Sequence, residues 1–256
     1  MRIARFATPS ASLSWGVVEG QDAPTVAAIE GHPFAGITFS GQRWALPDVR
    51  LLSPVLPSKV VAVGRNYAEH ARELGNEVPS TPLLFLKPST SVIGTGDVIR
   101  LPADSQQVEH EAELAVVIGI PAKDVTREKA LDHVLGYTVA NDVTARDQQR
   151  SDVQFTRAKG YDSFCPLGPW IETVLDPVDL RVTAAVNGQL RQDGRTSQMV
   201  HDVPSLIAFA SSIMTLLPGD VILTGTPAGV GPIRDGDTVS IEIEGIGTLT
   251  NEVRAR

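Results

Sequence analysis

Val108-Glu109-His110-Glu111-Ala112-Glu113-Leu114-Ala115-Val116-Val117-Ile118-Gly119 sets carboxylates two residues apart directly before a run of strand-forming residues. Successive side chains of a strand point to opposite faces, so the spacing predicts that Glu109, Glu111 and Glu113 share one face. Like charges that close repel unless they are protonated, solvated or bridged by a cation. Taken alone, an E-x-E pattern reads first as the solvated outer face of an edge strand. The alternative is a hard divalent ion, because Mg²⁺ and Ca²⁺ take oxygen ligands.

Composition narrows the choice. A chain of 256 residues admits one large β-rich domain, or a small domain joined to a larger one. Its 42% hydrophobic content supports a sizeable core, and 20% charged residues is ordinary for a soluble protein. A net charge of -8 without any Lys/Arg run argues against nucleic-acid and anionic-membrane partners, which need basic patches. The single cysteine, Cys165, excludes an internal disulfide framework and fits a reducing compartment. Met1-Arg2-Ile3-Ala4-Arg5-Phe6 alternates instead of forming a signal-peptide core, and no stretch is long enough to span a membrane. The expected location is the cytoplasm. With 22 Gly and 18 Pro the chain is cut into short segments, which suits strands better than a helical bundle.

Those segments predict an α+β fold dominated by β. Ser14-Trp15-Gly16-Val17-Val18-Glu19-Gly20 and its neighbours suggest a small β-rich unit over residues 1–56. Pro54 and Pro57 bracket a boundary, and Lys59–Gly64 reads as a buried strand opening a larger domain over residues 57–256. A short helix follows, with Asn66 as cap, Glu69 at the capping-box position and Gly75 as stop. The polar stretch 76–82 then reads as mobile. A further helix is expected over residues 127–132, and strands over 83–87, 136–142, 221–224 and 238–243. No repeat of solenoid period occurs.

A metal at Glu111 and Glu113 needs another hard ligand, and Asp142 at the end of a predicted strand is the best candidate. Asp142 also fits a helix N-cap, and spacing does not separate the two roles. Neither Cys165 nor the five His residues cluster at ligand spacing, which disfavours zinc. His70 and Glu73, three apart on the short helix, face the same side. A carboxylate beside an imidazole orients it for general acid–base work, although an i,i+3 surface pair has the same spacing. The small-residue loop Thr224–Pro232 offers backbone amides to an anion, but it lacks the Lys-Ser/Thr of a phosphate-binding loop. Lys159, in Arg157-Ala158-Lys159-Gly160, is a cation available to a carboxylate or oxo group.

The order of these blocks is more specific than any one of them. Gly64-Arg65-Asn66-Tyr67-Ala68-Glu69-His70, Glu111-Ala112-Glu113-Leu114, Gly136-Tyr137-Thr138-Val139-Ala140-Asn141-Asp142, Arg157-Ala158-Lys159-Gly160-Tyr161-Asp162 and Thr224-Gly225-Thr226-Pro227-Ala228-Gly229-Val230-Gly231 resemble the fumarylacetoacetate hydrolase family, from about Pro57 to the C-terminus. The resemblance implies a mixed β-sandwich roll and a homodimer. It implies that Glu111, Glu113 and Asp142 hold Mg²⁺, with Mn²⁺ or Ca²⁺ as alternatives. It places Lys159 beside a bound oxo acid, and Arg65, Gly225 and Thr226 on the substrate side. His70 and Glu73 match the catalytic dyad of the acylpyruvate hydrolase branch, carried on a lid. His110 and Ala112 depart from the residues frequent at their positions, and both are expected to face away from the metal.

The activity implied is Mg²⁺-dependent cleavage of a C–C bond in an acylpyruvate-type 2-oxo acid, through a metal-stabilised pyruvate enolate. Oxaloacetate decarboxylation would use the same site. The alternative is isomerisation or decarboxylation of 2-hydroxyhepta-2,4-diene-1,7-dioate, a step of aromatic catabolism. A metal-binding protein without catalysis is the third reading, disfavoured because each catalytic position is filled. Fold alone does not choose among these reactions.

Overall fold

A computed structural model describes residues 1–255 of the chain, whose strands form three sheets. The largest has twelve strands. Its main path runs Phe39–Ala45, Thr25–Ile29, Leu13–Glu19, Arg2–Ala7, Cys165–Glu172, Val134–Asn141, Ala112–Ile118, Val221–Leu223, Val60–Gly64, Leu83–Lys87. A five-stranded sheet follows the order Gln189–Arg195, Arg181–Val186, Thr238–Ile243, Gly247–Ala255, Val98–Leu101. The predominantly β, layered architecture is the one expected.

Period-two alternation explains the layering. Leu114, Val116 and Ile118 pack with Val182, Ala184, Ile241 and Leu249 of the five-stranded sheet. The intervening Ala115 and Val117 pack on the opposite face with Val60, Ala62, Val221 and Leu223. A strand covered on both faces needs no polar alternation, which is why this run is apolar throughout. Each fully buried Leu, Val or Ile here contributes about 1.5–3 kcal/mol of transfer free energy. The four N-terminal strands bury their own small core of Phe6, Val18, Val26 and Ala28. They continue the large sheet through pairing of Arg2 with Glu172 and Ile3 with Ile171.

The acidic stretch is not one strand. Val108–His110 lies between Thr144–Ala145 and Gly231–Pro232 in a separate three-stranded sheet, and the chain crosses into Ala112–Ile118 at Glu111. At the crossing, the Glu111 N–H donates to the Asn141 side chain (3.0 Å) instead of to a neighbouring backbone. The break turns Glu109 away from the other two. Its carboxylate accepts from Arg146 Nε and Gln107 Nε2, both at 2.8 Å, so the expected common face holds only for Glu111 and Glu113.

Three local expectations are also revised. The short helix spans Ala68–Glu73, and Asn66 does not cap it. Its side chain instead donates to His201 O (2.9 Å) and Thr224 O (2.7 Å) and accepts from His201 N–H (2.8 Å), bonds that tie two loops together. The capping box with Glu69 therefore does not form. At the other end Gly75 is the expected stop, with Gly75 N–H on Arg72 O and Asn76 N–H on Ala71 O. Residues Arg127–His133 form 3-10 turns instead of an α-helix.

Val60–Gly64 and Val221–Leu223 run parallel, so both end on the same side, where the His70 helix and the Thr224–Pro232 loop begin. Buried Asp220 pins their starts. It accepts from Ser58 N–H (3.1 Å), Lys59 N–H (3.2 Å) and Leu217 N–H (2.7 Å) and pairs with the Lys59 ammonium.

Candidate metal centre and active site

Three strand ends meet at the mouth of this parallel pair. Glu111 sits at the crossing between sheets, Glu113 opposes Ala140 in the ladder, and Asp142 immediately follows Val134–Asn141. The Asp142 N–H donates to Glu111 O (3.0 Å), which locks the two ligand-bearing segments together. One carboxylate oxygen from each of Glu111, Glu113 and Asp142 lies within 4.8 Å of the others, and all three residues are buried. Asp142 is not a helix cap: the next helix, Arg146–Ser151, is preceded by Ala145.

Cations surround part of this cluster. Lys159, on the helix Thr156–Gly160, donates from Nζ to Glu111 Oε2 (2.8 Å), Asp142 Oδ2 (2.6 Å) and Thr144 Oγ1 (2.8 Å). Lys87 reaches Asp142 Oδ1 at 2.5 Å from the edge strand Leu83–Lys87, and Arg146 bridges Glu109 and Glu111. Burial disfavours charge on Glu111, but Lys159 and Arg146 outweigh it and hold that carboxyl far below its usual range. Glu113 is the opposite case. Burial, then the Asp142 and Glu111 carboxylates, push its pKa well up, and the Gly225 N–H on Oε2 (2.7 Å) offsets this only in part.

That asymmetry is the test of fit for a metal. The donor set is oxygen only, and Glu113 has no ion-pair partner of its own among the described residues. A hard divalent cation supplies the positive charge that Glu113 lacks and suits these ligands. The residues therefore fit such an ion.

The cleft beside the cluster has a volume of about 440 Å³, and Arg65, His70, Glu73, Arg146, Lys159 and Thr226 are among its lining residues. Buried His70 points Nδ1 at Glu73 Oε2 (3.4 Å) and Nε2 at Glu111 Oε1 (3.9 Å). Burial lowers the His70 pKa in spite of the carboxylates nearby, so the ring is neutral at pH 7. Glu73 in turn accepts from the Gly229 N–H at 3.1 and 3.2 Å. Arg65 holds a left-handed backbone, φ 58°, at the turn from the Val60–Gly64 strand toward this helix.

Of the predicted residues, Arg65, His70, Glu73, Glu111, Glu113, Lys159 and Thr226 line this cleft, Asp142 belongs to the adjoining cluster, and the Gly225 N–H is bonded to Glu113. Gly225 has φ 92°, and a Cβ there would stand 2.7 Å from Asn66 Cβ. Gly225→Ala should therefore destabilise the protein by about 2 kcal/mol or more and weaken divalent-ion binding, read by thermal melts and calorimetry. Sequence reasoning misses Arg146, Lys87 and Gln192. Arg146 follows Asp142 by four residues, and that proximity is the available signal. Lys87 and Gln192 come from remote strands and carry no local signal.

These features define a predominantly β protein with a buried carboxylate cluster compatible with metal binding, and comparison with known proteins sharpens the assignment. Residues 59–254 match the family model described as fumarylacetoacetate (FAA) hydrolase C-terminal, and residues 1–54 match one described as Rv2993c-like, N-terminal. The chain belongs to the fumarylacetoacetate hydrolase family. It is 56% identical over 260 residues to the Mycobacterium tuberculosis protein Rv2993c, covering 99% of this chain and 98% of that one. A Dictyostelium discoideum protein named oxaloacetate decarboxylase, mitochondrial, is 48% identical over 198 residues, covering 74% of this chain and 90% of that one. A Mycobacterium smegmatis crystal structure named as a 5-carboxymethyl-2-hydroxymuconate delta-isomerase superposes with a TM-score of 0.94 at 55% identity, over the full length of both chains. Among the described residues no helix is long and apolar enough to cross a membrane.

Proposed function

We propose that this enzyme cleaves a C–C bond in an acylpyruvate-type 2-oxo acid with Mg²⁺ held by Glu111, Glu113 and Asp142, and that it also decarboxylates oxaloacetate. Cytoplasmic location and a homodimeric state belong to the same reading. The observation that carries it is the buried imidazole of His70, set between Glu73 and the carboxylate cluster. When bound, the ion supplies positive charge for the carboxylate and the developing enolate of the oxo acid.

The chain's own groups supply the remainder. With Nδ1–H directed at Glu73, His70 presents the Nε2 lone pair to the cleft, where it takes a proton from water attacking the distal carbonyl. The acyl–C3 bond breaks, its electron pair goes to the pyruvate fragment as enolate, and protonation at C3 yields pyruvate beside the free acid. Lys159 keeps a buried ammonium at this centre, its charge favoured by Asp142 and Glu111 against the cost of burial. At 3.4 Å the His70–Glu73 contact is loose, and such contacts tighten when substrate binds.

A second reading has specific support in the names of the relatives: decarboxylation of oxaloacetate alone, or isomerisation of a hydroxymuconate-type diacid. Neither needs an activated water. Steady-state assays of acetylpyruvate, oxaloacetate and 2-hydroxyhepta-2,4-diene-1,7-dioate separate them. Highest kcat/KM on acetylpyruvate supports hydrolysis. Turnover of the dienedioate with none of acetylpyruvate replaces it with isomerisation.

Closure over substrate should be confined to the segment after the helix base. Asn66 and Tyr67 are buried and tied down, whereas residues 74–82 contribute little apolar burial to offset ordering entropy. Hydrogen exchange over 72–82 should slow on adding oxalate with Mg²⁺, because oxalate resembles pyruvate enolate. Equal protection with and without oxalate would count against a lid.

A further inference from the structure

Gln192 lies outside the cleft, on the hairpin strand Gln189–Arg195 of the five-stranded sheet, yet it is fully buried, and its four amide contacts go to the segment His110–Ala112 and to Thr226–Pro227. Oε1 accepts from the Ala112 N–H (2.9 Å) and faces His110 Nδ1 at 3.0 Å. Nε2 donates to Thr226 Oγ1 (2.7 Å) and to Pro227 O (2.7 Å). The amide can sit only one way round, because the Ala112 N–H can only donate and the Pro227 carbonyl can only accept. It follows that His110 donates from Nδ1 to Oε1.

Two consequences reach the cleft. Ala112 is the residue between Glu111 and Glu113, so Gln192 holds the backbone that spaces those two carboxylates. Thr226 Oγ1, accepting from Gln192, turns its own hydrogen to Ala112 O at 2.8 Å. The ring Ala112 N–H, Gln192, Thr226, Ala112 O closes on itself. The hydroxyl's hydrogen is then committed inward, and Thr226 faces the cleft with a lone pair and its backbone.

Packing makes the docking intolerant of displacement. A Cβ on Gly194 of the hairpin would stand 2.5 Å from Pro227 Cβ, and one on Gly229 of the loop would stand 2.3 Å from Arg191 O. The same loop holds Glu73 through the Gly229 N–H.

We propose that Gln192 is a positioning residue for substrate binding: from outside the cleft it sets the Thr226 hydroxyl and the Thr226–Gly229 loop against the segment that spaces Glu111 and Glu113. This rests on the reading that a 2-oxo acid binds between the carboxylate cluster and Thr226. Gln192 acts through Thr226, so loss of either should have one and the same effect.

The test is a double-mutant cycle on the Mg²⁺-loaded enzyme with Gln192→Met and Thr226→Val, reading oxalate Kd by calorimetry together with KM and kcat for acetylpyruvate. Each single variant should raise oxalate Kd and KM about tenfold or more with a smaller change in kcat, and the double variant should be no worse than the poorer single. Gln192→Glu, which keeps the acceptor to Ala112 and loses the donor to Thr226, should behave like Gln192→Met and serves where the apolar replacement fails to fold. Additive effects in the cycle, or wild-type oxalate Kd in both Gln192 variants, would overturn the proposal. Oxalate binding keeps the two claims apart. A wild-type enzyme that binds oxalate and shows the predicted cycle, yet turns over no acylpyruvate, overturns the reaction and leaves Gln192 in its role.

Discussion

A His70→Ala enzyme should lose acetylpyruvate hydrolysis by about 10²–10⁴-fold in kcat/KM, the usual worth of a positioned general base. Its Mg²⁺ affinity should stay within a few-fold of wild type, because His70 is not one of the three clustered carboxylates. Oxaloacetate decarboxylation should fall less, since no water is activated when CO₂ leaves. Glu73→Gln tests the orienting half of the pair. It keeps an acceptor for the imidazole N–H but removes the charge, so the loss should be smaller than for His70→Ala. Equal loss of hydrolysis and decarboxylation would mean that the helix closes the cleft without choosing the reaction. Full hydrolysis in His70→Ala would remove the base altogether.

Lys159→Met should lower kcat/KM by at least about a hundredfold, because it strips a buried cation from a site where negative charge develops. The same change should not weaken metal binding. Lys159 occupies Glu111 Oε2 and Asp142 Oδ2, so its removal frees both oxygens and leaves the cluster more negative. Mg²⁺ affinity should be equal or higher, measured by calorimetry beside the kinetics. The metal-free variant, in contrast, should be less stable than wild type by about 3–5 kcal/mol, the cost of breaking a buried ion pair from one side. Unchanged kinetics in Lys159→Met would refute the role assigned to it.

The apolar run 114–118 and the strands near 221–224 and 238–243 are readable because period two and strand composition are local. The pairing of Glu111 with Glu113 is equally local, since residues two apart along extended chain present one face. Glu109 departs from the common face because the break at Glu111 comes from a side chain thirty residues away, Asn141, that takes over a ladder hydrogen bond. Asn66 departs from its local role for the same kind of reason. Capping is the local use of an Asn before a helix, but the backbone of His201 and Thr224 supplies partners that no local rule contains. Lys87 and Gln192 carry no local signal because their importance lies wholly in contacts with segments remote in sequence. Recognition of the five ordered blocks, and not periodicity, brought Asp142, Lys159 and Thr226 together with the E-x-E pair.

The central claim is that Glu111, Glu113 and Asp142 hold one hard divalent ion on which turnover of a 2-oxo acid depends. The most direct measurement is Mg²⁺ titration of EDTA-stripped protein by calorimetry, with acetylpyruvate turnover followed at each occupancy. The predicted result is one site per chain, no turnover in the stripped protein, and activity rising in step with occupancy, all abolished in Glu113→Gln. Turnover that persists in EDTA, or a Glu113→Gln protein that binds Mg²⁺ as tightly as wild type, would contradict it.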